Sequence, residues 1–259
     1  MATTKDNHAL VVLCSTLGYS PKDEKSAVKP LTVAAYNKLE ARLDAAGFTP
    51  SIFLTEKLAD ISAPLALKGE ERNHIEKLLL RADKLGEELD RLSERKIYVV
   101  GRAQDNYPAK LKKAMGKNAP VVFFFCGEMR LLDAETVAII GSREASEQEV
   151  EYASKHARIS AQNGRVIVSG GAKGIDTVAK EAALHAGGKV VTYVSDDMTG
   201  YIGKNAEFIL WDRMLVPKPR SRATTRSNAT STSTQAAIMP SWYRAAMARA
   251  AAIKARLIA

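Results

Sequence analysis

Two glycine turns, about one strand-helix-strand unit apart, constrain the fold of this chain more than any other feature. Gly141-Ser142-Arg143 follows the run Thr136-Val-Ala-Ile-Ile140, and Ser169-Gly-Gly-Ala-Lys-Gly-Ile-Asp176 follows Arg165-Val-Ile-Val168. Each turn closes a short β-branched run and opens a helical stretch, the place where an α/β protein presents backbone N–H groups to phosphate. Three further runs, Ile97-Tyr-Val-Val100, Val121-Val-Phe-Phe-Phe125 and Val190-Val-Thr-Tyr-Val194, also read as buried strands. Helical stretches over 146–163 and 175–186 alternate with the last three strands. The pattern predicts β-α-β-α-β with right-handed crossovers, so that a parallel sheet gathers both turns at its carboxyl edge. Gly164 and the pair Gly187-Gly188 stand where helix C-caps are expected.

Residues 1 to 94 read differently, as helices separated by turns at Gly18, Pro21, Pro30, Gly47, Pro50 and Pro64. One helix is expected over 31–46 and a longer one over 69–95. In the second, Ile75, Leu78, Leu79, Ala82, Leu85, Leu89 and Leu92 recur at three- and four-residue steps, the stripe of a helix packed on one side. The expected organisation is a helical N-terminal domain over 1–94, an α/β domain over 95–216 and a basic Ala/Ser/Thr-rich tail over 217–259.

Charge gives little direct guidance to the ligand. Of the 38 basic residues, nine (Arg213, Lys218, Arg220, Arg222, Arg226, Arg244, Arg249, Lys254 and Arg256) lie in a C-terminal stretch without acidic residues, which leaves 29 against 29 acidic residues in 1–212. The net charge of +9 therefore belongs to residues 213–259. No apolar run approaches the roughly 20 residues of a membrane span, and the polar N-terminus lacks a secretory pattern, so a cytoplasmic protein is expected. Cys14 and Cys126, each in an apolar run, read as buried thiols.

The turns supply phosphate chemistry without a catalytic constellation. Gly141 and Ser142 permit a tight turn, and Arg143 sets a bidentate cation beside a helix start. Gly170, Gly171 and Gly174 let backbone approach a ligand, Lys173 adds a point charge, and Asp176 sits in the first helical turn, where a carboxylate braces the loop by accepting backbone N–H groups. Neither a Gly-x4-Gly-Lys-Ser/Thr loop nor a Gly-x-Gly-x-x-Gly fingerprint is present, and neither Ser142 nor Ser169 lies in a nucleophile elbow. His8, His74, His156 and His185 lack metal-ligand spacing. No enzyme, cofactor or metal is expected.

Val137-Ala-Ile-Ile-Gly-Ser-Arg143 and Val168-Ser-Gly-Gly-Ala-Lys-Gly-Ile-Asp176, followed by Ala182-Ala-Leu184 and Gly187-Gly188, strongly resemble the DprA/Smf DNA-processing proteins. Tyr107-Pro-Ala-Lys-Leu111, Ala119-Pro-Val-Val-Phe-Phe124 and Gly127 resemble the segment leading into that family's fold. The resemblance covers about 96–215 and implies an α/β, extended Rossmann-like parallel sheet preceded by a small helical N-terminal domain. It implies single-stranded DNA binding without hydrolysis, loading of the RecA recombinase during natural transformation, and a homodimer in an intact family member. Carried over by residue, Gly141, Ser142 and Arg143 would hold one phosphate, Ser169, Gly170, Gly171, Lys173 and Gly174 its neighbours, and Asp176 would brace the loop. A phosphoribohydrolase-like enzyme is the alternative on a related fold, but its Pro-Gly-Gly-x-Gly-Thr-x-x-Glu loop is absent.

Two departures stand out. Lys180 occupies a position where the family commonly has histidine, and its charge would either join the DNA surface or face solvent. Beyond Val216 the family's Arg-Asn-Lys-x-Ile-Tyr-Ala segment is missing. Thr230-Ser-Thr-Ser-Thr-Gln235 can be encoded so that a shifted frame reads Asn-Lys-Tyr-Ile-Tyr-Ala, so the tail reads as an out-of-frame product that removes the sheet's far edge, with a disordered basic tail as the alternative and an inactive truncated product as a further functional alternative. Tyr193 and Tyr201 are the aromatic residues near the turns by sequence order, Tyr193 being expected in the core.

Overall fold

The computed structural model describes residues 4–18, 28–194 and the backbone of 208–211. The tail expected at 217–259, with its out-of-frame reading, and Tyr201 lie outside the described residues. Contacts divide the chain into two compact units, one reaching Cys126 and the other running from Gly127 to Leu210.

The first unit is built on α1 (Lys5–Cys14), whose Ala9, Leu10, Val11, Val12 and Leu13 are wholly buried. That run is apolar on all sides of the helix and has no solvent face, so other elements must surround it. Thr4 starts it, its side-chain oxygen accepting from Asn7 N at 3.2 Å. There follow α2 (Val33–Ala46), the short α3 (Ile52–Thr55) and α4 (Leu58–Ser62), α5 (Gly69–Leu79) and α6 (Ala82–Glu94). An antiparallel hairpin of β1 (Tyr98–Gly101) and β2 (Val122–Cys126) completes the unit, its strands joined through α7 (Ala109–Met115).

The single helix expected over 69–95 is two helices. Between them Leu80 is 77% exposed while Arg81 is buried. The guanidinium of Arg81 donates to the carbonyls of Ser15 at 3.1 Å and Leu17 at 2.7 Å, and also to that of Val12. These are the unpaired carbonyls at and beyond the C-terminal end of α1, which has no basic residue in its own last turn. Turning Arg81 inward against them breaks the helix, and the apolar stripe continues across the break through Ile75, Leu78, Leu85 and Leu92.

The hairpin, expected to belong with the downstream α/β domain, falls in the first unit, where both strands contact α1 and β1 also contacts α6. Just past β1, buried Arg102 donates to Asn37 Oδ1 at 2.7 Å and to Glu40 at 3.0 Å, tying the strand end to α2. Tyr107 donates its hydroxyl proton to Pro120 O at 2.9 Å and meets Phe123 edge-on with ring centroids 5.5 Å apart. The Tyr-Pro segment therefore acts here as a staple over the hairpin. Both cysteines are free thiols, and burial pushes each thiol pKa up.

The second unit follows the expected grammar. β3 (Thr136–Ala138), α8 (Glu147–Gln162), β4 (Val166–Gly170), α9 (Ile175–His185), β5 (Val190–Tyr193) and β6 (Phe208–Trp211) form a parallel layer in the order β6-β5-β4-β3. β6 is a strand that the sequence reading did not single out. α8 begins in a capping box, Ser146 and Glu149 each accepting the other's backbone N–H. α8 and α9 pack against each other and the sheet through Ala157, Ala161, Ala179, Ala182 and Ala183, with Ile167 and Val190 beneath. Small side chains let the two helices approach closely, so the strand-to-helix turns that precede them are also brought together.

Candidate nucleic-acid edge

The first turn leaves β3 at its carboxyl end, where Ile139 N still donates to Val168 O at 3.0 Å. The second leaves β4 and enters α9. They interlock. Ile175 N donates to Ser142 O at 3.1 Å, and Gly141 lies so close to Ile175 that a Cβ on it would be 2.7 Å from that side chain. Gly174, at φ +81°, is tighter: a Cβ there would stand 2.2 Å from Ser142 O and 2.8 Å from Arg143 Cα. Only glycine fits both the left-handed backbone and the contact.

Asp176 clips the turns from within. It is 4% exposed, and its Oδ1 accepts from Gly141 N at 3.3 Å, while the backbone N–H groups of Ala172 and Gly170 lie near enough to favour its charged form. Burial raises its pKa above the usual carboxylate value, and these N–H groups and the nearby Arg143 charge pull the other way. Asp176, at the end of the second turn, is thereby tied to the backbone of the first. Thr177, which the sequence reading passed over, adds a second tie by donating its hydroxyl proton to Ala172 O at 2.8 Å. Its position one residue after Asp176, in the first turn of α9, was the available signal.

The expected phosphate ligands separate into two groups. Ser169 is wholly buried and donates its hydroxyl proton to Ile139 O at 2.7 Å, so it staples β4 to the end of β3 and faces no ligand. Gly170 is also buried. The Ser142 hydroxyl is held within its own turn, accepting from Glu144 N at 3.1 Å and donating to Glu144 O at 2.9 Å. Gly141, Ser142, Arg143, Gly171 and Lys173 are exposed, with Gly174 half-buried between them. Since Gly174 touches the Arg143 backbone and Lys173 precedes it, the two residues are neighbours at the edge. Lys180, expected on the DNA surface or in solvent, is 7% exposed: its place on the inward side of α9 removes it from the open edge. Tyr193, at the end of β5, is half-buried.

A parallel α/β layer whose first two strand-to-helix turns interlock at the carboxyl edge, with Arg143 and Lys173 exposed there and no nucleotide fingerprint, defines a Rossmann-like domain. Residues 98–210 match the model of the DNA recombination-mediator protein A family. The DNA processing protein DprA of Streptococcus pneumoniae (strain ATCC BAA-255 / R6) is 39% identical over 100 residues, which make up 39% of this chain and 34% of that relative's length. An X-ray structure of DNA processing protein A from Streptococcus pneumoniae covers 82% of this chain and 68% of its own at a TM-score of 0.50 and 24% identity, a likeness of fold. DNA processing protein A from Helicobacter pylori, described for its single-stranded DNA binding mode, covers 48% and 59% at a TM-score of 0.39 and 26% identity. Residues 98–210 are thus similar to the DNA recombination-mediator protein A (DprA) family, and the chain spans about a third of the length of the curated relative it matches.

Proposed function

We propose that this chain binds single-stranded DNA along the carboxyl edge of its second unit, protects the strand and passes it to the RecA recombinase during natural transformation. The observation that carries the reading is the interlock at Gly174, which makes Arg143 and Lys173 exposed neighbours on a sheet edge similar to that of the DprA family. Two adjacent cations on an open rim suit successive phosphates of a flexible strand, and a single strand can bend to follow a rim that a stiff duplex cannot. The site binds and does not cut, acts in the cytoplasm, and works in a homodimer. Among the described residues no helix is long and apolar enough to cross a membrane.

The test is fluorescence anisotropy with labelled oligonucleotides. A single strand is expected to bind more tightly than a duplex of the same sequence and to be recovered intact, and RecA is expected to nucleate faster on strands that carry this protein. Equal affinity for both forms, or cleavage of the strand, would contradict the reading.

A further inference from the structure

In proteins that bind a mononucleotide or dinucleotide at a strand-to-helix turn, the backbone N–H groups of the turn converge on an empty hollow that a phosphate fills. Here the corresponding hollow is already filled. The Asp176 carboxylate, 4% exposed, accepts from Gly141 N of the first turn at 3.3 Å, and the nearby backbone N–H groups of Gly170 and Ala172 in the second turn favour its charged form. The carboxylate also lies in the first turn of α9, where the helix dipole would otherwise attract an external anion. Ile175 packs against Gly141 and closes that side, and Gly174 lies on the backbone of Ser142 and Arg143.

We propose that Asp176 is a specificity-determining residue: it acts as a resident anion in the phosphate hollow, so that this edge rejects free phosphate and mononucleotides and accepts only a polyanion laid across Arg143 and Lys173. The filled hollow stands on its own geometry; the preference for a polymer rests on the DNA-binding reading. Phosphate contacts made by one arginine and one lysine at an exposed rim are individually weak. They hold a ligand only when several phosphates on one backbone engage together, because the second contact is then intramolecular. A mononucleotide lacks that second contact, and the hollow that would compensate for it is occupied.

Three measurements on the full chain test this. In the wild-type protein, inorganic phosphate and thymidine monophosphate should leave the amide resonances of Gly141, Gly170 and Ala172 unmoved, and saturable shifts there would overturn the proposal. Asp176→Ala empties the hollow while keeping α9, and sodium formate, a carboxylate of matching size, should then raise its melting temperature by about 5 °C more than an equal concentration of sodium chloride does. The wild type and Asp176→Asn, whose side chain still fills the space, should show no such difference. A formate effect equal in all three proteins would overturn the idea; if Asp176→Ala stays unfolded even in formate, the resonance measurement decides. Finally, labelled oligothymidylate should be displaced by unlabelled oligothymidylate and not by thymidine monophosphate at the same phosphate concentration. Equal displacement by the monomer would overturn the polymer preference. Failure of oligothymidylate to bind at all would instead refute the DNA-binding reading and leave the formate result standing.

Discussion

Gly174→Ala is expected to lower the stability of the second unit by about 3–4 kcal/mol, because it combines a side chain at positive φ with overpacking against backbone that cannot yield. The added methyl would stand 2.2 Å from Ser142 O and 2.8 Å from Arg143 Cα, and neither atom belongs to a flexible side chain. Relief requires that the two turns move apart. That separation would break the Ile175 N to Ser142 O bond and draw Gly141 N away from Asp176. The variant should therefore lose melting temperature, roughly 10 °C at about 2–4 °C per kcal/mol for a domain of this size, and bind single strands poorly even where it remains folded. Gly86→Ala is the matched control: it lies within α6 with nothing near its Cβ, and should be neutral or stabilising by about 0.5–1 kcal/mol. Thermal unfolding followed by circular dichroism checks both. Equal melting temperatures for Gly174→Ala and the wild type would mean that the turns do not interlock.

The second large effect concerns the first unit. Arg81→Ala should cost about 3–5 kcal/mol, since it strands several buried carbonyls at once. The guanidinium donates to Val12 O, Ser15 O and Leu17 O and, through Nε at 3.3 Å, to Leu78 O, so that it joins the end of α1 to the end of α5. Val12, Ser15, Leu17 and Leu78 are themselves buried, so these carbonyls cannot turn to water while the unit stays packed. Arg81→Lys keeps the charge but loses the planar fork that reaches several carbonyls together, and should recover only part of the loss. Urea unfolding monitors this: a lower midpoint at unchanged slope is expected, with hydrogen-exchange protection lost first over α1. Full retention of stability in Arg81→Ala would remove the explanation offered for the break between α5 and α6.

What the sequence made legible was periodic or glycine-marked. Alternation of β-branched runs with helical stretches located β3, α8, β4, α9 and β5, and Gly164 and Gly187 take left-handed φ of 75° and 74° at the expected caps. The stripe from Ile75 to Leu92 identified the buried face of α5 and α6 but not the break, since helical periodicity carries through Arg81. A charged residue in such a stripe reads as solvated unless its partners are known, and those on α1 and just beyond it lie more than 60 positions away. The same limit applies at the candidate site. Residue types pointed to the turns, and Asp176 to their bracing, yet whether a hydroxyl or N–H group faces ligand or fold depends on long-range contacts. Ser169 turns to Ile139 O, and Gly141 N to Asp176, each across at least 30 positions. Lys180 illustrates the converse: its charge suggested exposure, whereas its place on α9 puts it on the buried side, one turn after Asp176.

The measurement that tests the central claim most directly is the salt dependence of single-strand binding in the wild type and in the double variant Arg143→Ala/Lys173→Ala. Each phosphate contact on a single strand contributes about 0.7 to the slope of log affinity against log salt concentration, so removal of two should flatten the slope by about 1.4 and weaken binding at low salt for every sequence tested. Slope and affinity identical to those of the wild type would place DNA binding elsewhere and contradict the account.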